Sequence, residues 1–159
     1  MDVNTSFSVA IGSDEAGYEL KELLKLHIEA LGYRLQDFGC YSSSPVLYPD
    51  IAVAVATAVS AGEHRLGVLI CGTGIGMAIS ANKIKGVRAA QAHDTYSAER
   101  ARKSNDAQIL SIGARVIGAE LAKSIVKIFL ESEFEAERSG PKVERITAVE
   151  QADRDLPSR

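Results

Sequence analysis

Apolar positions follow two alternating rhythms from near the start of the chain to about residue 130. Short runs rich in Val, Ile and Leu, at residues 7–11, 33–37, 66–70, 87–92 and 108–112, read as strands. Between them the spacing changes to three and four. Leu20, Leu23, Leu24, Ile28 and Leu31 share one helical face that ends at Gly32, and further helices are predicted over 49–61, 75–83, 96–104 and 118–130. Five β-type runs separated by helices predict an α/β domain with a five-stranded parallel, doubly wound sheet of the Rossmann-like or flavodoxin-like kind. After Leu130 the pattern gives way to a polar stretch in which Val143, Ile146 and Val149 keep helical spacing. It predicts a tail helix over about 138–153, packed on this domain or on a partner subunit, with a frayed end.

A doubly wound sheet binds ligands beyond the carboxyl ends of its strands, where neighbouring loops diverge. This directs attention to "GSDEAG", "CGTGIG", "AHDTYS" and "SIGARVIG". In "CGTGIG" the glycines Gly72, Gly74 and Gly76 allow backbone N–H groups to approach an anion at a helix start, or they simply form a tight turn. The loop follows the third strand, whereas the dinucleotide fingerprint follows the first, so a nucleotide fold is disfavoured. Cys71 lies where the strand ends and a helix begins, a position that favours the thiolate. It is a base, a nucleophile, or an inert core cysteine. Asp14 and Glu15 follow the first strand, as sugar or proton ligands or as helix caps. Among the histidines only His93, at the end of the fourth strand, has a site-like address, and its alternative is a hydrogen-bonded structural role. Arg115, Arg138, Lys142 and Arg145 either solvate the surface or converge on a phosphate.

Composition narrows the partner. At 159 residues the chain is sized for one domain, with a core over about 7–130, and it has no low-complexity tract to suggest disorder away from its ends. Its net charge of −3, without any basic block, argues against nucleic acid or an anionic membrane and for a small molecule. The longest nearly uncharged stretch, 51–62, is too short to span a bilayer. Two cysteines, Cys40 and Cys71, cannot form a disulfide framework and are not spaced C-x-x-C, so a redox protein is a weak reading. The N-terminus lacks a signal-peptide pattern, and a cytoplasmic location is expected.

Taken together, "GSDEAGYELK", "YPD", "CGTGIGMAISANK", "RAAQAHDTYSAERARKSNDAQILSIGARVIG" and "RSGPKVERI" resemble the ribose-5-phosphate isomerase B and galactose-6-phosphate isomerase family. The likeness runs from about Val9 to Glu150. It implies a five-stranded doubly wound fold, a homodimer or homotetramer with sites shared between subunits, and a reaction without metal or organic cofactor. That reaction is aldose–ketose isomerisation of a sugar phosphate through a cis-enediolate. By resemblance Cys71 is the base, Thr73 the proton donor to the sugar oxygen, and the N–H groups of Gly72 to Gly76 hold the oxyanion. Asp14, Tyr48 and Asn105 match contacts to sugar hydroxyls, and Arg115, Arg138 and Lys142 match basic substrate-binding positions. Glu15 and His93 join the candidates for substrate binding.

Two positions depart from the family pattern. Glu15 stands where the ribose enzymes usually carry histidine, and Ser104 stands where many carry the histidine credited with opening the furanose ring. Serine is no acid–base at neutral pH. Either His93 replaces that histidine, or the substrate arrives open. A tetrose 4-phosphate has its O4 esterified and cannot close a five-membered ring. Ribose 5-phosphate is named first by family membership, with tetrose 4-phosphates and hexose 6-phosphates as alternatives, and a non-catalytic sugar-phosphate-binding protein as the reading from another class.

Overall fold

A computed structural model describes residues 7–156, so the chain ends, including the frayed end expected after the tail helix, lie outside the described residues. Strands β1 (Ser8–Ser13), β2 (Arg34–Asp37), β3 (Leu66–Cys71), β4 (Ala89–Gln91) and β5 (Ile109–Gly113) form one parallel sheet in the order β2-β1-β3-β5-β4. Helices α1 (Tyr18–Ala30), α2 (Tyr48–Ser60), α3 (Ile75–Ala81), α4 (Thr95–Asn105) and α5 (Ala119–Glu131) alternate with them, and α6 (Ala136–Arg154) follows. The expected α/β class and parallel sheet are present.

The period of two along each strand sorts the core into two layers. Val9, Ile11, Val68, Ile70, Leu110 and Ile112 pack on the side of α1, α4 and α5 with Leu24, Ala98 and Phe129. Ala10, Leu69 and Ile109 face the other side with Val55 and Ala56 of α2 and Met77 of α3. Central β3 is buried along its whole length, which is why its sequence reads as an unbroken apolar run.

Element ends shift from the sequence reading by only a residue or two, each for a visible reason. Gly12 and Ser13 remain in β1 because they pair with Leu69 and Ile70 of β3, and Cys71 remains in β3 because it pairs with Gly113. The predicted strand at 87–92 contracts to Ala89–Gln91. Val87 N–H closes a turn on Ile84 O, and Arg88 folds its guanidinium onto Asn105 O and Asp106.

One charged cluster belongs to the architecture. Lys21 of α1 is fully buried, its Nζ 2.6 Å from Asp37 Oδ2, and Lys25 reaches the same oxygen at 2.8 Å. Burial works to raise Asp37, but hydrogen bonds from Lys21, Lys25 and Gly39 N–H outweigh it and hold the carboxyl below its ordinary value. The chain after β2 stays aligned with β1 through Ser13 N–H to Gly39 O and Cys40 N–H to Ser13 O, both 2.7 Å. Cys40 is buried there and its thiol donates to Ser42 O.

Candidate active site

From β1 the chain crosses to β2 on one side, and β3 lies on the other, so the loops after β1 and β3 diverge above their carboxyl ends. Asp14 N–H donates to Ile70 O at 3.2 Å, bringing the residue after β1 against the end of β3. Asp14, Tyr48, Cys71, Gly72, Thr73, Gly76 and Arg115 line one open cleft of about 420 Å³, with Ile75 and Ile79 as its apolar wall. A cavity of similar size, about 410 Å³, lies under the end of α6 beside Val87, Arg88, Ile146 and Val149, away from these groups.

The "CGTGIG" loop is built around Gly74, whose φ of 78° favours glycine. That turn brings Gly74 N–H to Cys71 Sγ at 3.1 Å, while Ile75 N–H reaches Thr73 Oγ1 at 3.2 Å. Each side chain accepts a backbone N–H at the start of α3. The sulfur thus faces a backbone donor at the start of α3. Thr73 accepts with its oxygen and keeps its own proton to donate. The loop carbonyls are held from below: Gln91 Nε2 donates to Thr73 O at 2.8 Å and Ser111 Oγ to Gly74 O at 2.6 Å. Arg115 lies over Gly72, its Nη1 3.3 Å from where a Cβ would stand.

Asp14 is almost wholly buried and caps a single turn of 3₁₀ helix (Glu15–Gly17), Oδ1 accepting from Gly17 N–H at 3.1 Å. Burial pushes its carboxyl above the ordinary value; the Gly17 N–H opposes this, and the charge of Glu15 adds to the rise. Glu15 turns instead to the loop between β2 and α2, Oε2 accepting from Val46 N–H at 3.1 Å. The cap of the turn is Asp14, and Glu15 is not among the residues lining the cleft.

Besides Glu15, four candidate side chains do not line this cleft within one chain. His93 follows β4 at the same carboxyl edge of the sheet, and its Nε2 accepts from the N–H of Gly113, the residue paired with Cys71, at 2.9 Å, a bond that requires that nitrogen unprotonated; it does not line the cleft. The remaining histidines are engaged as well, His27 with Lys123 O and His64 with Ser8 and Gln36. Asn105 ends α4, next to the start of β4 through Arg88, at the amino edge of the sheet. Arg138 and Lys142 ride on α6, whose start is tied to Lys103 O through Glu135 N–H and whose far part is tied to Gly86 through Glu150. Cys71 is at the opposite edge, and β5 alone, from Ile109 to Gly113, spans roughly 13 Å.

Sequence reasoning missed four residues here: Ile75 and Ile79 as apolar wall, and Gln91 and Ser111 as anchors of the loop. Ser111 gave a faint signal, a hydroxyl inside the apolar run "ILSIG" that must find a partner when buried. Gln91 gave none. Among the described residues no group of three His, Cys, Asp or Glu side chains gathers to hold a metal ion, and no helix is long and apolar enough to cross a membrane.

Residues 9–146 match the ribose/galactose isomerase family. Over 146 residues the chain is 52% identical to ribose-5-P isomerase B of Listeria innocua, covering 92% of this chain and 99% of that one. It is also 52% identical over 143 residues to the D-erythrulose-4-phosphate isomerase of Pectobacterium atrosepticum, covering 87% and 92%. The solved structure of Clostridium thermocellum ribose-5-phosphate isomerase B superposes with a TM-score of 0.89 at 42% identity, covering 91% of this chain and 98% of that one.

Proposed function

The chain belongs to the ribose/galactose isomerase family, and from that premise we propose that it interconverts the aldose and ketose forms of a phosphorylated sugar, ribose 5-phosphate and ribulose 5-phosphate first among them. The observation that carries this reading is the pairing of Cys71 Sγ and Thr73 Oγ1 on one loop, each accepting a backbone N–H from α3 beside an open cleft. Cys71 as thiolate takes the proton from C2 of the aldose, and the electron pair moves to the carbonyl oxygen O1. Thr73 gives its proton to O1 and recovers one from the O2 hydroxyl. Cys71 then returns its proton to C1, leaving the ketone at C2. Loop N–H groups and the start of α3 offset the charge that develops on the oxygens.

Asp14, Tyr48 and Arg115 line the cleft, which supports the first two as groups that hold hydroxyls and Arg115 as a group that attracts the phosphate. Asn105, Arg138 and Lys142 reach such a cleft only from a second copy, which supports a homodimer, or a tetramer built from dimers, with shared sites. One domain in the cytoplasm completes the proposal.

A second reading, a tetrose 4-phosphate as substrate, is favoured by the histidines. The chain has three, each is hydrogen-bonded within the fold, and a second copy brings the same three. A ring-free tetrose needs no imidazole to open it.

The test is a substrate panel on the purified protein, kcat/KM for ribose 5-phosphate, D-erythrulose 4-phosphate and allose or galactose 6-phosphate, with proton exchange at C1 or C2 followed in D2O. Exchange lost in Cys71→Ala supports isomerisation. Binding without turnover in either form would make the protein a sugar-phosphate binder instead.

A further inference from the structure

Two successive peptide groups of the "CGTGIG" loop link strand side chains to the two reacting groups. A trans peptide is one rigid plane whose C=O and N–H point in opposite directions. In the plane joining Thr73 to Gly74, the carbonyl accepts from Gln91 Nε2 at 2.8 Å while the N–H donates to Cys71 Sγ at 3.1 Å. The next plane, joining Gly74 to Ile75, repeats the arrangement. Its carbonyl accepts from Ser111 Oγ at 2.6 Å while its N–H donates to Thr73 Oγ1 at 3.2 Å.

We propose that Gln91 and Ser111 are positioning residues of the isomerase, each fixing one peptide plane so that its N–H faces a reacting side chain. The inference rests on the roles proposed above for Cys71 and Thr73. Gly74 is the pivot of both planes, and glycine imposes little resistance to rotation about its own bonds. Were the first plane to turn over, a carbonyl oxygen would face the sulfur where an N–H now stands, and a thiolate there would be repelled. The anchors hold the productive orientation before substrate arrives, which is the condition for electrostatic stabilisation without reorganisation. Donation to each carbonyl also polarises the N–H on the far side of its plane. The two anchors differ in weight. Ser111 is fully buried, so its loss leaves Gly74 O without a partner, whereas Gln91 is exposed and water can replace part of its bond.

The test uses the full-length protein. Gln91→Met keeps the side-chain length and removes the donor; Ser111→Ala removes the hydroxyl. Steady-state kinetics on ribose 5-phosphate and D-erythrulose 4-phosphate are paired with the rate of iodoacetamide modification of the Cys71 peptide, read by mass spectrometry without substrate. For Gln91→Met, kcat falls and Cys71 modification slows, each by about threefold, with KM inside about twofold of wild type. For Ser111→Ala, kcat falls about tenfold, again with little change in KM. Unchanged kcat and modification rate in Gln91→Met, faster modification in that variant, or a rise in KM at constant kcat overturns the inference. Gln91 is at the surface, so its variant decides the matter even where Ser111→Ala fails to fold. A wild type that turns over no sugar refutes the proposed function instead, while Cys71 modification in Gln91→Met still reads the first plane.

Discussion

The ring of Tyr48 rests on the backbone of Gly76 so closely that a Cβ at Gly76 would meet ring carbons at 2.5 Å and the hydroxyl at 2.7 Å. The first residue of α2 is thereby seated on the first turn of α3, at the mouth of the cleft. A methyl group there collides with the far end of a flexible side chain that is 39% exposed, so the ring swings out and the backbone stays. Gly76→Ala is therefore expected to leave Tm near wild type, because alanine also favours the helix, while KM rises about tenfold from the misplaced hydroxyl. Thermal unfolding and steady-state kinetics separate these effects. A large fall in Tm with unchanged KM would make Gly76 a packing residue only.

Asp14 shows a conflict between the site and the fold. Its carboxyl is raised above the ordinary 3.8, first by burial, so the folded chain holds its proton more tightly than the unfolded chain does. Stability from that proton is fully present below 3.8 and is lost as pH rises through the folded value. At neutral pH the ionised group is thus a net cost. Asp14→Asn keeps an oxygen for the Gly17 N–H and removes the charge. It is expected to raise Tm at neutral pH and to lower kcat/KM about tenfold or more, through loss of a charged hydroxyl acceptor. A variant of lower Tm at neutral pH would contradict this account.

The alternation of strands and helices was legible because both signals are local. Buried β3 reads as "LGVLIC" and α1 as a leucine stripe, each without reference to a distant residue. Strand order was not legible: β5 lies between β3 and β4, and that choice depends on how crossovers pack. The same limit applies within the site. Cys71 and Asp14 could be found because strand ends announce themselves, and Gly74 because a tight turn needs glycine. Gln91 and Ser111 reach the loop from other strands, so even where the hydroxyl of Ser111 in an apolar run calls for a partner, nothing near it in sequence says that the partner is this loop. The sequence also gave His93 a site-like address, and the geometry turns its Nε2 to Gly113.

His64 makes a stability prediction on the other side of neutrality. It bridges β1 to β2, with Nε2 2.9 Å from Gln36 Oε1 and Nδ1 2.7 Å from Ser8 Oγ, and is nearly buried. Burial pushes the imidazole below 6.5, with the charge of Glu63 opposing. Below 6.5 the unfolded chain takes up a proton that the folded chain resists, so stability is present above that value and is lost as pH falls through the folded one. Urea midpoints between about pH 8 and pH 5.5 are expected to fall in wild type, and to fall less in His64→Gln. Equal slopes in the two proteins would remove His64 as the cause.

Sharing of the site between two copies is open to a mixing experiment. Cys71→Ala lacks the base, and its turnover is expected to fall about a thousandfold. Arg138→Ala lacks a basic group that sits, within its own chain, at the far edge of the sheet from Cys71. It is expected to raise KM about tenfold or more through the lost charge-assisted contact. When the two impaired proteins are unfolded, mixed in equal amounts and refolded, half of the dimers contain one of each. In such a dimer one site loses both groups and the other keeps both. Under random assembly about one quarter of all sites are whole, and activity at low substrate should return to about that fraction of wild type. Recovery no greater than the sum of the separate variants would mean that each chain completes its own site, and Arg138 would then have to act on Cys71 from across the sheet.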